Sequence, residues 1–190
     1  MLSRLQAINQ MLTAHGEQII LVEVEGAGDY ANCSAVLDAE TTKVLAKGCF
    51  FNTDRKVELT PDVDGKIAVA DNVLQIDPVD PSLQIAQRGA FLYDLDNQTD
   101  VFTKPVTVTR ILNFPFEQCP FAIQREIVAR AAMAYQRGYV GSAQLDAFAK
   151  DERLEAVADS HDAESDSDDF NILDNPDLAY LHRRTYRRGI

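Results

Sequence analysis

Tryptophan is absent from this 190-residue chain, and cysteine and methionine occur three times each. The usual sugar-stacking residue is therefore missing, which weakens any glycan-cleft reading. Cys33, Cys49 and Cys119 are odd in number and widely spaced. That excludes a CxxC metal or redox motif, argues against a disulfide framework, and leaves small core residues as their reading. Long apolar runs are lacking too. The longest run of large aliphatics, Ile19-Ile20-Leu21-Val22, is far shorter than the roughly twenty residues that span a bilayer, so no membrane segment is expected. Polar Gln6, Asn9 and Gln10 interrupt the opening segment, which lacks the layout of a secretory signal; the protein is expected to stay where it is made.

Positive charge is scarce. Eighteen Lys and Arg face thirty Asp and Glu, a formal charge of −12 with a pI near 4.6. Sequence-blind clamping of nucleic acid needs clustered cations, so the average field disfavours it. The charge is also unevenly placed: residues 1–150 carry −6, residues 151–180 carry −10, and residues 181–190 carry +4. A folded body succeeded by a charge-segregated tail is the implied layout.

The residues that are present alternate between helical and strand-like stretches. Leu5, Ile8 and Leu12 before Gly16 predict a helix over 3–15. Gly26-Ala-Gly28 breaks the chain and Asp29 caps a second helix of about six turns, in which Tyr30, Cys33, Leu37, Val44, Gly48 and Phe51 form one stripe. Gly48 would cost such a helix about 1 kcal/mol, which a close-packed neighbour would explain. From residue 53 the period changes to two. Val57–Leu59 and Lys66–Val69 flank Pro61-Asp-Val-Asp-Gly65 as a hairpin, and Val73–Ile76, Leu83–Ile85, Ala90–Tyr93 and Val106–Leu112 continue as strands. Pro120 opens a third helix with Ile123, Ile127, Ala131 and Ala134 on one face. Ser142 caps a fourth, carrying Leu145, Phe148 and Ala156, before acids take over at Asp159. The expected fold class is α+β: a four-helix bundle (1–52 and 114–160), an inserted small β lobe (53–113) and an extended C-terminal docking arm (161–190).

Chemical motifs are sparse. His15 ends the first helix and reads as a partner for its negative terminus; His161 and His182 lie in the tail. There is no nucleophile elbow, Walker loop or HExxH, and Gly26-Ala-Gly28 lacks the third glycine of a dinucleotide loop. In Asp162–Asp169 the sixth position of a calcium loop would be Ser167 and the twelfth Leu173, so no metal is expected; Asp62 and Asp64 read as turn formers. No catalytic residue, cofactor or metal site is assigned. The arm carries apolar anchors, Phe170, Ile172, Leu173, Leu178, Tyr180, Leu181 and Tyr186, and then Arg183, Arg184, Arg187 and Arg188. Their burial returns less than the backbone entropy of ordering the arm, so either hydrogen bonds to the body close the gap or a second chain holds it; the second chain is the preferred reading, the arginines seeking carboxylates.

Several stretches together carry a resemblance. Ala7–Glu17, Arg88–Asp94 with Asp100–Phe102, Val106–Leu112 and Phe170–Asp174, taken in order, resemble the tail tubular protein A family, head-to-tail adaptors of T7-like short-tailed bacteriophages. Two departures stand out: Gly16-Glu17 is followed by Gln18-Ile19 where a proline is expected, and the arginine-rich end extends past the Asn171–Asp174 patch. The resemblance implies a helical bundle with a β lobe and a C-terminal arm. It further implies a virion protein, assembled in the host cytoplasm, that forms a ring, a dodecamer, between portal and tail nozzle. Such a ring extends the DNA channel and serves as the platform for tail assembly, with no shared catalytic site. Its partners would be itself, the portal protein and the nozzle protein, and DNA would pass without specific binding, repelled by an acidic wall. Two other classes compete: a cell-surface glycan hydrolase using paired carboxylates in the β lobe, and a nucleic-acid binder using the arginine end with Tyr180 and Tyr186.

Overall fold

The computed structural model describes residues 1–23, 26, 28–140 and 143–167, with 140, 143–148, 166 and 167 at the level of the backbone. Among the described residues four α-helices and two small antiparallel sheets make a mixed α+β fold.

Helix α1 (Arg4–Thr13) begins where Ser3 and Gln6 close a capping box: Gln6 N donates to Ser3 Oγ at 3.2 Å and Ser3 N to Gln6 Oε1 at 2.9 Å. Its Ala7, Ile8, Met11 and Leu12 are buried, the stripe its spacing requires. Helix α2 (Gly28–Leu45) starts one residue before Asp29, so Asp29 sits in the first turn and acts on the positive helix end instead of capping it. It also stops six residues short of Phe51. Gly48 lies beyond the helix with φ +79°, a left-handed turn, and a Cβ there would come 2.8 Å from Ile111 Cδ1. The close neighbour expected for this glycine is present, but the residue ends the helix and does not interrupt it.

In the β region, β1 (Thr53–Leu59), β2 (Val73–Pro78) and β5 (Val106–Leu112) form a three-stranded sheet with β5 in the middle. β3 (Ile85–Arg88) and β4 (Phe91–Asp94) pair as a separate hairpin. The hairpin expected between Val57–Leu59 and Lys66–Val69 does not form. β1 pairs with β5 (Val57 opposite Val108), and the second segment makes only a bridge, Ala68 to Phe91, supported by Val69 N→Ala90 O (2.8 Å) and Leu92 N→Ile67 O (2.9 Å). The turn itself is as expected: Asp62 Oδ1 accepts from the backbone N–H of Asp64 and Lys66, and Gly65 takes φ +79°.

After a short 3-10 turn at Phe116–Gln118, helix α3 (Phe121–Tyr135) begins behind its cap Pro120 and continues as a π-helical turn, Gln136–Val140. Helix α4 (Ala143–Ser167) then runs back along it, with Arg125 paired to Asp159 and Ser160 bonded to Glu126. This helix continues past Asp159 through seven residues that the sequence alone assigns to the arm. Its acid-rich end lies beside the N-terminal turn of α3, where the exposed N–H groups favour negative charge. Ser142 and the side chains of Leu145 and Phe148 lie outside the described residues.

Two apolar cores result. One joins α1, α2, α3 and Phe116, with Ile8, Met11, Leu37, Leu45, Ile123 and Ile127 at 1% exposure or less. The other, in the β lobe, centres on Ile67, Leu92 and Val108. Each such side chain contributes about 1.5–3 kcal/mol by leaving water. The three cysteines are buried free thiols, and burial pushes Cys33 and Cys119 up to about 11 and Cys49 up to about 12. No helix among the described residues is long and apolar enough to cross a membrane.

Candidate assembly surfaces

Acids dominate the chemistry on offer, and their local partners show what most of them do. In the β lobe, Asp94 accepts from the backbone N–H of Asp96 and Asn97 (2.9 Å each) and from Asn97 Nδ2. Those bonds hold its carboxyl below the usual range. Asp80 holds Ser82 in the same manner, Asp54 pairs with Arg110 at 2.9 Å, and Asp100 with Lys66 at 2.9 Å. These carboxylates close turns and bridge strands. Among the described residues no group of three or more His, Cys, Asp or Glu is placed to hold a metal.

Histidine 15 differs from its reading. Instead of meeting its own helix end, the imidazole crosses to α3, with Nε2 3.0 Å from Ala132 O, and stacks on Tyr135 with ring centroids 6.0 Å apart. Tyr135 stacks in turn on Tyr139 at 4.7 Å. The ring thus serves as packing between α1 and α3, because Leu12 and Ala132 bring those helices together there.

Three buried polar nodes, none of them singled out by the sequence, fix the frame. Asn52, fully buried, donates from Nδ2 to Leu45 O (2.9 Å) and Leu112 O (2.8 Å), and accepts at Oδ1 from Cys49 N (2.7 Å); Leu112 N donates to its carbonyl (2.8 Å). It joins the end of α2 to both β1 and β5. Gln124, equally buried, accepts from Leu2 N at 2.8 Å and donates to Leu2 O and Phe116 O. Glu126 accepts from Lys47 Nζ (3.2 Å), Arg130 Nε (2.8 Å) and Ser160 Oγ (2.6 Å). Burial alone would push its carboxyl up, but the Ser160 bond and the Lys47 and Arg130 charges outweigh that and hold it below the ordinary value. An acid one turn from Ile123 and beside Ile127, inside an apolar stripe, is the signal that could have marked it.

At the surface Arg4 grips Asp38 with both terminal nitrogens (2.6 and 3.0 Å), Glu117 with Nε (3.1 Å) and Ser34 (2.7 Å), tying α1 to α2 and to the 3-10 turn. The hydrogen bond to Asp38 is the main cause that raises its pKa. Among the described residues several large apolar groups stand exposed. Leu21 and Val22 lie in the loop before α2. Val63, fully exposed, and Val101 lie about the Gly65 turn, where Phe102 N donates to Gly65 O at 2.7 Å. Phe121, Tyr139 and Leu154 lie on the helical side. Single exposed apolar residues are ordinary on a folded surface. The docking-arm anchors and arginines, Phe170 to Arg188, lie outside the described residues.

Comparison with known proteins adds a direct relation. A family model described as tail tubular protein matches residues 5–170, which covers the helices and the β lobe alike. The chain is also 31% identical over 117 residues to a tail tubular protein A of Klebsiella phage KP34, an alignment covering 61% of this chain and 62% of that relative.

Proposed function

Since this chain belongs to the tail tubular proteins, structural components of the phage tail, we propose that it is a ring-forming adaptor at the head-to-tail junction of a virion. In this reading the subunits form a closed ring, a dodecamer, assembled in the host cytoplasm. The ring joins the portal to the tail nozzle, extends the DNA channel, and serves as the platform on which the nozzle assembles. The helices act as a four-helix bundle carrying the β lobe, and the C-terminal arm docks on the portal or on a neighbouring copy.

The observation that carries the reading is that exposed large apolar side chains stand both about the Gly65 turn of the β lobe, at Val63 and Val101, and on the helices, at Phe121 and Leu154. A head-to-tail contact joins two different surfaces of one subunit, and such contacts close into a ring when the rotation between subunits allows it. The net charge of −12 supports the channel role: an acidic wall repels phosphate, so a duplex slides without sticking. Asp54, Asp94 and Asp100 of the β lobe are engaged in turns and ion pairs, which favours a protein without turnover.

The test is attachment. Full-length protein should bind purified portal rings and recruit nozzle protein, whereas a chain lacking residues 170–190 should fold but attach weakly. Wild-type attachment by that truncation removes the arm from the account. Release of reducing ends from cell-surface glycan, abolished by one Asp or Glu substitution that leaves the fold intact, would replace the reading with a hydrolase.

A further inference from the structure

Between α2, α3 and α4 lies a cavity of about 110 Å3 lined by Arg130, Arg137, Arg153, Glu40, Met133 and Ala134. Three guanidinium groups around so small a space are unusual in an acidic chain, and the one carboxylate among them, Glu40, is engaged by Lys43 Nζ at 2.5 Å. Arg130 gives its Nε to Glu126. Arg153 projects from α4 into this space, and its Nε is buried without a hydrogen-bond partner. A buried guanidinium N–H left unpaired is costly, and the volume suits a single carboxylate or phosphate group.

The opposite face of α4 supplies a matching group. Asp151, Glu155, Ala158 and Asp162 recur at helical spacing as one exposed stripe, with Leu154 beside it at 56% exposure. Arg153 and Ala156 face the other way, toward α3. One helix thus carries an acidic, apolar-studded outer face and contributes an arginine to a carboxylate-sized cavity behind it. The two patches are different and face apart, so one subunit cannot satisfy both by itself.

We propose that the arginine cavity accepts a carboxylate, foremost Glu155, from the outer face of α4 in a second copy of this chain. The pairing is heterologous and leaves each subunit with one filled cavity and one donated carboxylate, so it propagates from copy to copy. It deepens the ring reading above and rests on it. Leu154 lands against the apolar floor at Met133 and Ala134. DNA phosphate is the weaker occupant, because the chain as a whole carries −12 and repels a duplex, whereas a single side chain enters alone.

The experiment uses the full chain, with ring formation read by native mass spectrometry and the fold by circular dichroism. Glu155→Arg and Arg153→Glu should each raise the concentration for half-assembly at least about tenfold, and an equimolar mixture of the two should form heterodimers, because the first variant keeps an intact cavity and the second keeps its Glu155, while the reverse contact sets an arginine against Arg130 and Arg137. If Arg153→Glu disturbs the helix signal, Arg153→Gln takes its place in the same mixture. Rings from both variants at the wild-type concentration overturn the contact, as does a mixture of folded variants that stays dissociated. Rings that persist in Arg153→Glu while duplex binding is lost in a gel shift overturn it in favour of phosphate. Wild-type protein that never leaves the monomer sinks the ring reading itself, a result distinct from those.

Discussion

The helical half and the β lobe are held together in different ways. In the helices, side chains from α1, α2 and α3 share one core, and long-range polar nodes such as Gln124 and Glu126 fasten the margins. In the lobe, backbone pairing carries more of the load: both outer strands of the larger sheet depend on β5, and the core beneath is smaller, with Val63, Val79, Phe91, Leu95 and Val101 left exposed around it. The contrast teaches that the helical half is a frame set by side chains, whereas the lobe presents surface on a backbone scaffold. Asn52 sits where the two meet.

The largest effect should come from cutting that junction. Asn52→Ala leaves Cys49 N without its partner in a buried place and removes the bonds to Leu112 O and to Leu45 O, which keeps only Gly48 N, a loss of about 3–6 kcal/mol. Urea titration followed by helix and β signals should show the two halves unfolding apart; a single transition at the wild-type midpoint would break the comparison. Next comes Phe116→Ala in the helical core, expected to cost about 3–5 kcal/mol in the same titration.

Ser160→Ala sharpens the comparison at α4. It removes a charge-assisted bond to Glu126 and should cost about 1.5–3 kcal/mol near neutral pH. Because the folded-state pKa of Glu126 is lowered, the stabilisation is complete above the ordinary glutamate value of 4.5 and fades as pH falls through the folded value. The gap between wild type and Ser160→Ala should therefore close in acid, and a gap that widens there would contradict the node. Gly48→Ala should cost about 1–2 kcal/mol in thermal unfolding from its left-handed backbone. Adding Ile111→Val should relieve only the contact, leaving most of that loss. Smallest of all, Val63→Ser should shift stability by less than about 0.5 kcal/mol, since the side chain is fully exposed; a larger loss would make the lobe tip part of the core.

Much of this frame is legible in the residues, and the misses have physical causes. The capping box and stripe of α1, the 61–65 turn and the alternation of Val106–Leu112 are local signals, and they appear where local chemistry places them. The partner of β1 is not local. Register with a strand some fifty residues away is set by tertiary packing, so the nearer segment Lys66–Val69 is the natural but wrong choice. Helix α2 reads too long because Phe51 continues its apolar period, while Gly48 against Ile111 shows the chain turning to begin the sheet. Helix α4 reads too short because acids look like a tail until α3's positive end is set beside them. Asn52, Gln124 and Glu126 escape the sequence because polar residues read as surface, and only the structure shows them satisfied inside. The docking arm is drawn from composition and charge, and its residues beyond Ser167 lie outside what the structure describes.

Single-particle electron microscopy of the purified full-length chain tests the central claim most directly. A ring-forming adaptor gives closed rings of identical subunits around an open axis, with the β lobe and the helical half recognisable in each. A population of monomers, or open filaments without closure, at every concentration would contradict it.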